Sequence, residues 1–217
     1  MNRMKKIQGD IYIAIGVVLI ALAAFLVRYN LNENAEAGAA SEEFLEGVIQ
    51  QMPDTVLPEA VSGPMPVVDV VGRSFVGTVE IPSLGLLLPI QDEWSKTNAR
   101  LSICRYMGSA YDNDLIVCGH NYPEHFGNLN QLKSGDSVIV TDMNGRSFYY
   151  QVTNMETLGA YDSFEMEEGD WDFTMFTCTV GGANRVTIRC EATGEVSETG
   201  SEPDVLKAVR DSRHKKK

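Results

Sequence analysis

Basic side chains are scarce in most of this chain of 217 residues. The formal net charge is −12, and because residues 1–28 carry +3 and residues 204–217 carry +4, residues 29–203 carry −19. Only eight lysines or arginines lie in that central span. A surface this acidic repels a phosphate backbone, so we expect no nucleic-acid partner.

The sequence also lacks the paired spacings of common metal sites. It has no CxxC or HxxxH pair, although Cys118, His120 and His125 form a loose cluster of three candidate zinc ligands. One acidic run lacks EF-hand spacing, which favours solvated charge over a calcium loop: Glu165, Glu167, Glu168 and Asp170. We therefore expect no metal and no other cofactor.

What the N-terminus does contain is a long apolar stretch. Residues 11–27 carry no charged side chain, and at 1.5 Å per residue about 17 residues nearly cross a hydrocarbon core of about 30 Å. Arg3, Lys5 and Lys6 precede the stretch against Asp10 alone, which by the positive-inside rule places the N-terminus in the cytoplasm. A cleaved signal peptide is the alternative, but the stretch exceeds the usual signal core of about 7–15 residues. We predict a single-pass plasma-membrane anchor with the following domain outside the cytoplasm.

Composition divides the chain into five regions. Residues 1–10 form the cytoplasmic N-terminus and residues 11–28 the transmembrane anchor. Residues 29–72 combine a polar stalk, a short amphipathic helix and a Pro-rich linker, residues 73–193 form a β-rich domain, and residues 194–217 form a disordered tail. We expect the apolar stripe of the amphipathic helix to pack on the domain: Phe44, Leu45, Val48, Ile49 and Met52.

Seven β-rich runs fill the domain: 75–81, 84–90, 115–118, 137–141, 147–153, 173–177 and 186–190. Asn144-Gly145 between two runs predicts a hairpin, because both residue types tolerate the positive φ of a tight turn. Many short strands favour a closed barrel or a sandwich. Short helices are predicted near residues 94–98 and 126–132.

Three of these runs carry a reactive side chain at one end. His120 and Cys178 follow buried runs, and Arg185 opens a run after a Gly-Gly loop. A thiol with a pKa near 8.5 is mostly protonated at neutral pH and needs a neighbouring base or cation to form the nucleophilic thiolate, a role for which His120 is suited. Arg185 stays protonated, so it is suited to stabilising the negative charge on a substrate oxygen. Arg189 lies four residues later on the same strand face and is the rival for the guanidinium role.

Each cysteine also has a structural interpretation. A cysteine at a strand end is more often a small buried hydrophobe than a nucleophile, and the apolar neighbours of Cys118 favour the core. Cys104 and Cys190 share that interpretation. The even number of cysteines permits two disulfides, but their spacing is not that of a dense disulfide framework.

An ordered set of motifs resembles the sortases, over about residues 75–190. The matching segments are Gly77-Thr78-Val79-Glu80-Ile81-Pro82, Pro89-Ile90, Gly119-His120-Asn121, Phe126-Gly127 with Leu129 and Leu132, Gly135-Asp136, and Thr177-Cys178 followed by Arg185. The resemblance implies an eight-stranded closed β-barrel, mainly β with few short helices, outside the cytoplasm of a Gram-positive bacterium. Met175-Phe176 replaces the more usual Thr-Leu, which leaves the subclass open.

The resemblance also implies a reaction. Cys178 would attack the Thr–Gly bond of an LPXTG-like sorting signal and form a thioester, with His120 and Arg185 as catalytic partners and Thr177 and Asn121 as substrate-binding residues. An amine of a cell-wall precursor or a pilin lysine would resolve the thioester. Pilin-polymerising sortases usually carry an Asp-Pro-aromatic lid, whereas residues 53–55 read Pro-Asp-Thr, so anchoring of surface proteins to the wall is favoured.

Three other functions are compatible with the same residues. A membrane-tethered cysteine hydrolase would use water as the acceptor, and a pilin-polymerising sortase would use a lysine. A non-enzymatic β-domain on a membrane stalk would bind a metal or a surface partner. Papain-like proteases are disfavoured because they place the cysteine before the histidine, while here His120 precedes Cys178.

Overall fold

The computed structural model of the protein describes residues 2–53 and 63–196. These residues belong to two compact units, one ending at Glu36 and the other beginning at Ala37. Part of the predicted Pro-rich linker, residues 54–62, and the predicted tail beyond residue 196 lie outside the described residues.

Helix α1 (Asn2–Gln51) contains the predicted anchor and continues through residues 30–40, which the sequence analysis assigned to a stalk. That segment is polar but contains four alanines and no proline, so it can continue a helix. In the first unit the large apolar side chains from Ile11 to Val27 are exposed. By length and composition the helix is able to cross a membrane.

The part of α1 that lies in the second unit packs on the β-rich domain. Buried side chains recur at helical spacing, and Phe44, Val48 and Met52 contact Val70 and Phe75 in one apolar cluster. The predicted packing of this stripe is therefore confirmed.

Nine strands form the sheet of the second unit: β1 (Val68–Val70), β2 (Arg73–Ile81), β3 (Leu86–Gln91), β4 (Ile103–Met107), β5 (Leu115–Gly119), β6 (Ser137–Asp142), β7 (Ser147–Gly159), β8 (Phe173–Cys178) and β9 (Asn184–Val196). Their order is β1-β2-β3-β4-β5-β8-β9-β7-β6, and β6 pairs back with β2. Strands β2 to β9 thus form the closed eight-stranded barrel that the resemblance to the sortases implied. The pairs β3–β4 and β5–β8 are parallel.

Alternation along the strands decides which side chains fill the barrel. Phe173 and Met175 of β8 and Ile188 and Cys190 of β9 lie in the main apolar core. Because successive side chains of a strand point to opposite faces, residues 174, 176 and 178 of β8 point outward. Cys178 therefore lies on the outer face of the sheet, at the end of β8.

The short connections differ from the prediction in places. Helix α2 (Lys96–Ala99) overlaps the helical segment predicted near residues 94–98, and a 3-10 turn, Leu129–Gln131, lies within the one predicted near residues 126–132. Strands β1 and β4 and helix α3 (Ser163–Glu167) were not predicted. Strand β4 was missed because its sequence, Ile-Cys-Arg-Tyr-Met, is short and has no clear alternation.

The predicted β6–β7 hairpin is confirmed, with a different turn geometry. Gly145 alone adopts a positive φ, +79°, and Asn144 does not. Asp142 Oδ1 accepts hydrogen bonds from the backbone N–H groups of Asn144 and Arg146, at 2.8 and 2.9 Å. The aspartate side chain therefore caps the turn, and only the glycine needs the left-handed region.

Candidate active site

Three neighbouring strands end at the residues that the sequence singled out. Gly119 in β5 pairs with Thr177 in β8, so His120 and Cys178 come next on two parallel strands. Cys178, the last residue of β8, lies directly opposite Arg185 in β9. Because neighbouring strands lie about 4.8 Å apart, the barrel holds the three residues in a row with Cys178 in the middle.

A groove of about 290 Å³ opens over this row. Cys178, His120 and Arg185 all line it. The remaining lining residues come from β4, β5, β7 and β8, from the β3–β4 connection and from the β7–β8 connection: Trp94, Lys96, Ala99, Tyr106, Cys118, Gly119, Gly159, Ala160, Asp162, Ser163, Met166 and Phe176. A groove with apolar walls and a few convergent polar groups is typical of a ligand site.

Cys178 differs from the other three cysteines in its surroundings. All four are free thiols, but Cys178 is half-buried at the groove while Cys104, Cys118 and Cys190 are buried. Burial raises the pKa of Cys104 and of Cys190 to about 12, and it raises the pKa of Cys118 well above its ordinary value. Since the thiolate is the nucleophilic form, the three buried thiols are poor nucleophiles near neutral pH.

A tight loop after β5 carries His120. The His120 carbonyl accepts a hydrogen bond from Phe126 N at 3.1 Å, and Tyr122 O accepts one from Gly127 N at 2.9 Å. A Cβ on Gly127 would lie 2.7 Å from both Asn121 O and Tyr122 O, so only glycine allows this approach. The Tyr122 ring lies 5.1 Å from the His120 ring, centroid to centroid. The loop thus fixes the backbone of His120 and packs an aromatic ring beside its imidazole.

The two arginines of β9 have different environments. Arg185 is half-buried, and its Nη1 donates to the carbonyl oxygens of Gly182 and Asn184, each at 3.1 Å. Arg189 is 2% exposed and donates to Glu156 Oε1 at 2.8 Å. Arg189 is not among the residues that line the groove. The structure therefore brings Arg185, and not its rival, to the groove.

Thr177 and Asn121, the two predicted substrate-binding residues, are not among the residues that line the groove. Thr177 is buried, and its hydroxyl donates to Gly119 O at 2.9 Å, which joins the ends of β8 and β5. Asn121 is half-buried, and its carbonyl oxygen packs against Gly127. These contacts place both residues where they hold the backbone next to Cys178 and His120.

The sequence analysis missed most of the groove lining. Phe176 carried a usable signal, because a period of two places it on the same strand face as Cys178. Trp94 and Met166 carried no such signal. They lie in connections between strands, and tertiary packing alone brings these connections against the outer face of β8. Within residues 2–53 and 63–196, no group of three or more His, Cys, Asp or Glu side chains is arranged to hold a metal ion.

Several solved structures are similar to this chain. Sortase C1 of Streptococcus agalactiae is 27% identical, with a TM-score of 0.50 over 59% of this chain and 71% of that one. Sortase C of Streptococcus pneumoniae is 21% identical, with a TM-score of 0.51 over 73% and 90% of the two chains. Sortase A of Corynebacterium diphtheriae is 16% identical, with a TM-score of 0.51 over 80% and 96%. No curated protein sequence matches the chain.

The profile of the sortase domain matches residues 79–193, more than half of the 217 residues. The matched segment contains most of the closed barrel and the three side chains that meet at the groove. The protein therefore belongs to the sortase family of transpeptidases.

Proposed function

We propose that this protein cleaves an LPXTG-like sorting signal through a thioester at Cys178 and transfers the acyl group to an amine. The observation that carries the proposal is the strand register. It sets Cys178 between His120 and Arg185 at one groove.

In the proposed first step, the Cys178 thiolate attacks the carbonyl carbon of the scissile peptide bond. The tetrahedral intermediate collapses as the C–N bond breaks, and the His120 imidazolium donates its proton to the leaving amine. In the second step the acceptor amine attacks the thioester and gives a proton to His120. The C–S bond then breaks, which regenerates the thiolate and the imidazolium.

Arg185 is suited to the negative charge that develops on the carbonyl oxygen. A guanidinium stays protonated at any working pH, so it can donate hydrogen bonds but cannot serve as a base. Its hydrogen bonds to the Gly182 and Asn184 carbonyls hold the guanidinium in place on the strand next to Cys178 before substrate binds. A donor held in place in advance is the arrangement that stabilises an oxyanion most effectively.

We further propose that α1 anchors the enzyme in the plasma membrane, with the barrel outside the cytoplasm. Exposed apolar side chains from Ile11 to Val27 support an anchor, and the basic residues ahead of them support a cytoplasmic N-terminus. The substrates would then be surface proteins that carry a sorting signal. The Pro-Asp-Thr order at residues 53–55 supports a cell-wall precursor, rather than a pilin lysine, as the source of the amine.

The test uses the full-length chain in detergent micelles with LPXTG-type peptides. Mass spectrometry should detect an acyl adduct on Cys178 that is absent in Cys178→Ala and present in the matched variant Cys104→Ala. An adduct that persists in Cys178→Ala overturns the assignment of the nucleophile. Adding a glycine-based amine or a lysine-containing pilin-type peptide then identifies the acceptor, and exclusive hydrolysis with either amine would indicate a hydrolase.

A further inference from the structure

Arg189 lies on the same strand face as the catalytic row. Three cross-strand pairs follow one another on that face: Cys178 with Arg185, Phe176 with Thr187, and Thr174 with Arg189. Thr174, Thr187 and Arg189 are 2%, 0% and 2% exposed. The first pair thus opens to the groove, whereas the third is covered by the connection between β7 and β8.

The guanidinium of Arg189 contacts three separate elements of the fold. Its Nε donates to Glu156 Oε1 of β7 at 2.8 Å, and its Nη1 donates to Thr174 Oγ1 of β8 at 3.2 Å. Nη1 and Nη2 also donate to the backbone carbonyls of Met166 and Glu165, at 2.8 and 2.6 Å. Both carbonyls belong to α3.

The other hydrogen bonds from α3 side chains to the barrel are long: the Tyr106 hydroxyl donates to Glu167 Oε1 at 3.4 Å, and the Thr187 hydroxyl donates to Met166 Sδ at 4.0 Å. Helix α3 has five residues, far fewer than an isolated helix needs to be stable. The last carbonyls of any helix lack intrahelical partners, so donors from elsewhere must satisfy them. Met166 is the only buried residue of α3, and the neighbouring Phe164 and Tyr161 are 69% and 96% exposed.

The connection that Arg189 holds is also a wall of the groove. Ala160, Asp162, Ser163 and Met166 line the groove and lie in or next to α3. Trp171 closes the same connection over Arg189, with the guanidinium carbon 5.9 Å from the centroid of its ring. Any shift of α3 would therefore change the shape of the groove without moving Cys178, His120 or Arg185.

We infer that Arg189 is a positioning residue that fixes the α3 wall for substrate binding. The inference rests on the proposed function, because it assigns this wall to the peptide. A lysine cannot replace the arginine. The planar guanidinium donates in several directions at once, to the two α3 carbonyls and to the Glu156 carboxylate, and a single ammonium group cannot reach all of them. The residue acts through α3 and touches neither the substrate nor the thioester.

The test compares Arg189→Met and Arg189→Lys with Arg105→Met in the full-length chain. Arg105 is a matched control because it is a half-buried arginine that pairs with Asp92 and does not line the groove. Hydrogen exchange of residues 160–172 should accelerate in both Arg189 variants and not in the control. The KM for the sorting peptide should rise about tenfold with kcat nearly unchanged, which indicates lost binding and not lost chemistry.

Two further measurements keep the outcomes separate. Alkylation of Cys178 by iodoacetamide should proceed at the wild-type rate in Arg189→Met, because the catalytic row stays in place. If Arg189→Met does not fold, Glu156→Gln provides the test, with the same exchange pattern and a smaller rise in KM.

Unchanged exchange over residues 160–172, or a fall in kcat with constant KM, would overturn the positioning role. If the wild-type chain fails to process any sorting peptide, the proposed function fails. The exchange measurement would still decide whether Arg189 holds α3.

Discussion

The β8–β9 ladder carries one cysteine and one arginine at each end, and the two ends differ in almost every physical respect. At the open end, half-buried Cys178 faces Arg185 across the ladder. At the closed end, Cys190 points into the core and Arg189 is enclosed by α3, Glu156 and Thr174. The two ends are therefore distinguished by the segments that cover them, and not by residue type.

The difference follows from what the neighbouring connections do. The Gly-Gly turn before β9 is short and leaves the open end uncovered, whereas the longer β7–β8 connection folds back over the closed end. A buried guanidinium requires several partners because an unpaired buried charge is very costly. The closed end is therefore a structural element that supports the wall of the site formed at the open end.

Cysteine alkylation gives the largest expected contrast between the two ends. Burial raises the pKa of Cys190 to about 12, so at pH 8 only about 10⁻⁴ of that thiol is ionised, whereas Cys178 is half-buried at the groove. We expect iodoacetamide to modify Cys178 on the order of 10³ times faster than Cys190. Peptide-resolved mass spectrometry of the folded full-length chain measures both rates. Equal rates at the two cysteines would instead support a non-enzymatic domain.

A change of arginine to lysine at the open end should have the next largest effect. Arg185→Lys keeps the charge but loses the planar fork, and loss of an oxyanion donor typically costs about 10²–10³ in kcat. The melting temperature should change little because Arg185 is half-buried. Steady-state transpeptidation with a sorting peptide measures the loss.

Arg105→Lys is the matched control for that substitution. Arg105 pairs with Asp92 and does not line the catalytic groove, so the same substitution there should leave kcat close to the wild-type value. Full activity in Arg185→Lys would show that the guanidinium takes no part in the chemistry.

The sequence predicted the fold and the three residues that meet at the groove, His120, Cys178 and Arg185. It did not predict how the two ends of the β8–β9 ladder differ. Strand ends at His120 and Cys178 follow from local apolar runs. Many short strands favoured a barrel or a sandwich, and the resemblance to the sortases implied the barrel. The choice of Arg185 over Arg189 rested on the resemblance to the sortases, because a period of two puts both arginines on one strand face. The carbonyls that enclose Arg189 belong to residues 23 and 24 positions earlier in the chain, and no local pattern announces that contact.

The same limit applies to the helices. Helix α1 continues through residues 30–40 because alanine and glutamate favour a helix even where no apolar stripe marks one. Helix α3 has one buried residue and is held mainly by tertiary contacts. The walls of the groove therefore depend on long-range packing, whereas Cys178 and His120 lie at strand ends that the sequence marks clearly.

The two histidines of the loop after β5 repeat the contrast between an open and a closed position. His120 lines the groove, whereas His125 is fully buried and burial lowers its pKa to about 4. In the unfolded chain its pKa is about 6.5, so between pH 6.5 and pH 4 the unfolded state binds the extra proton. The free energy of unfolding should therefore fall as the pH falls, by about 3 kcal/mol over that range from this residue alone.

Urea unfolding of the wild type and of His125→Leu at several pH values measures the contribution of His125 to the free energy of unfolding. Other titrating groups contribute equally to both proteins, so the difference between the two curves isolates His125. The difference should widen below pH 6.5 and level off near pH 4. Parallel curves for the two proteins would contradict a buried neutral histidine.

The smallest expected effect lies in the β6–β7 hairpin, which lines neither end of the ladder. Gly145 has a φ of +79°, and an added Cβ would meet only ordinary contacts, the nearest 3.5 Å away at Pro53. Gly145→Ala should therefore cost only the left-handed strain, about 1 kcal/mol of unfolding free energy, while Gly145→Asn should cost less because asparagine tolerates that conformation. Activity toward the sorting peptide should stay at the wild-type value in both variants. A fall in activity would mean that loss of stability alone disturbs the groove. The activities of the Arg185 and Arg189 variants would then have to be corrected for their lower stability before the two ends of the ladder are compared.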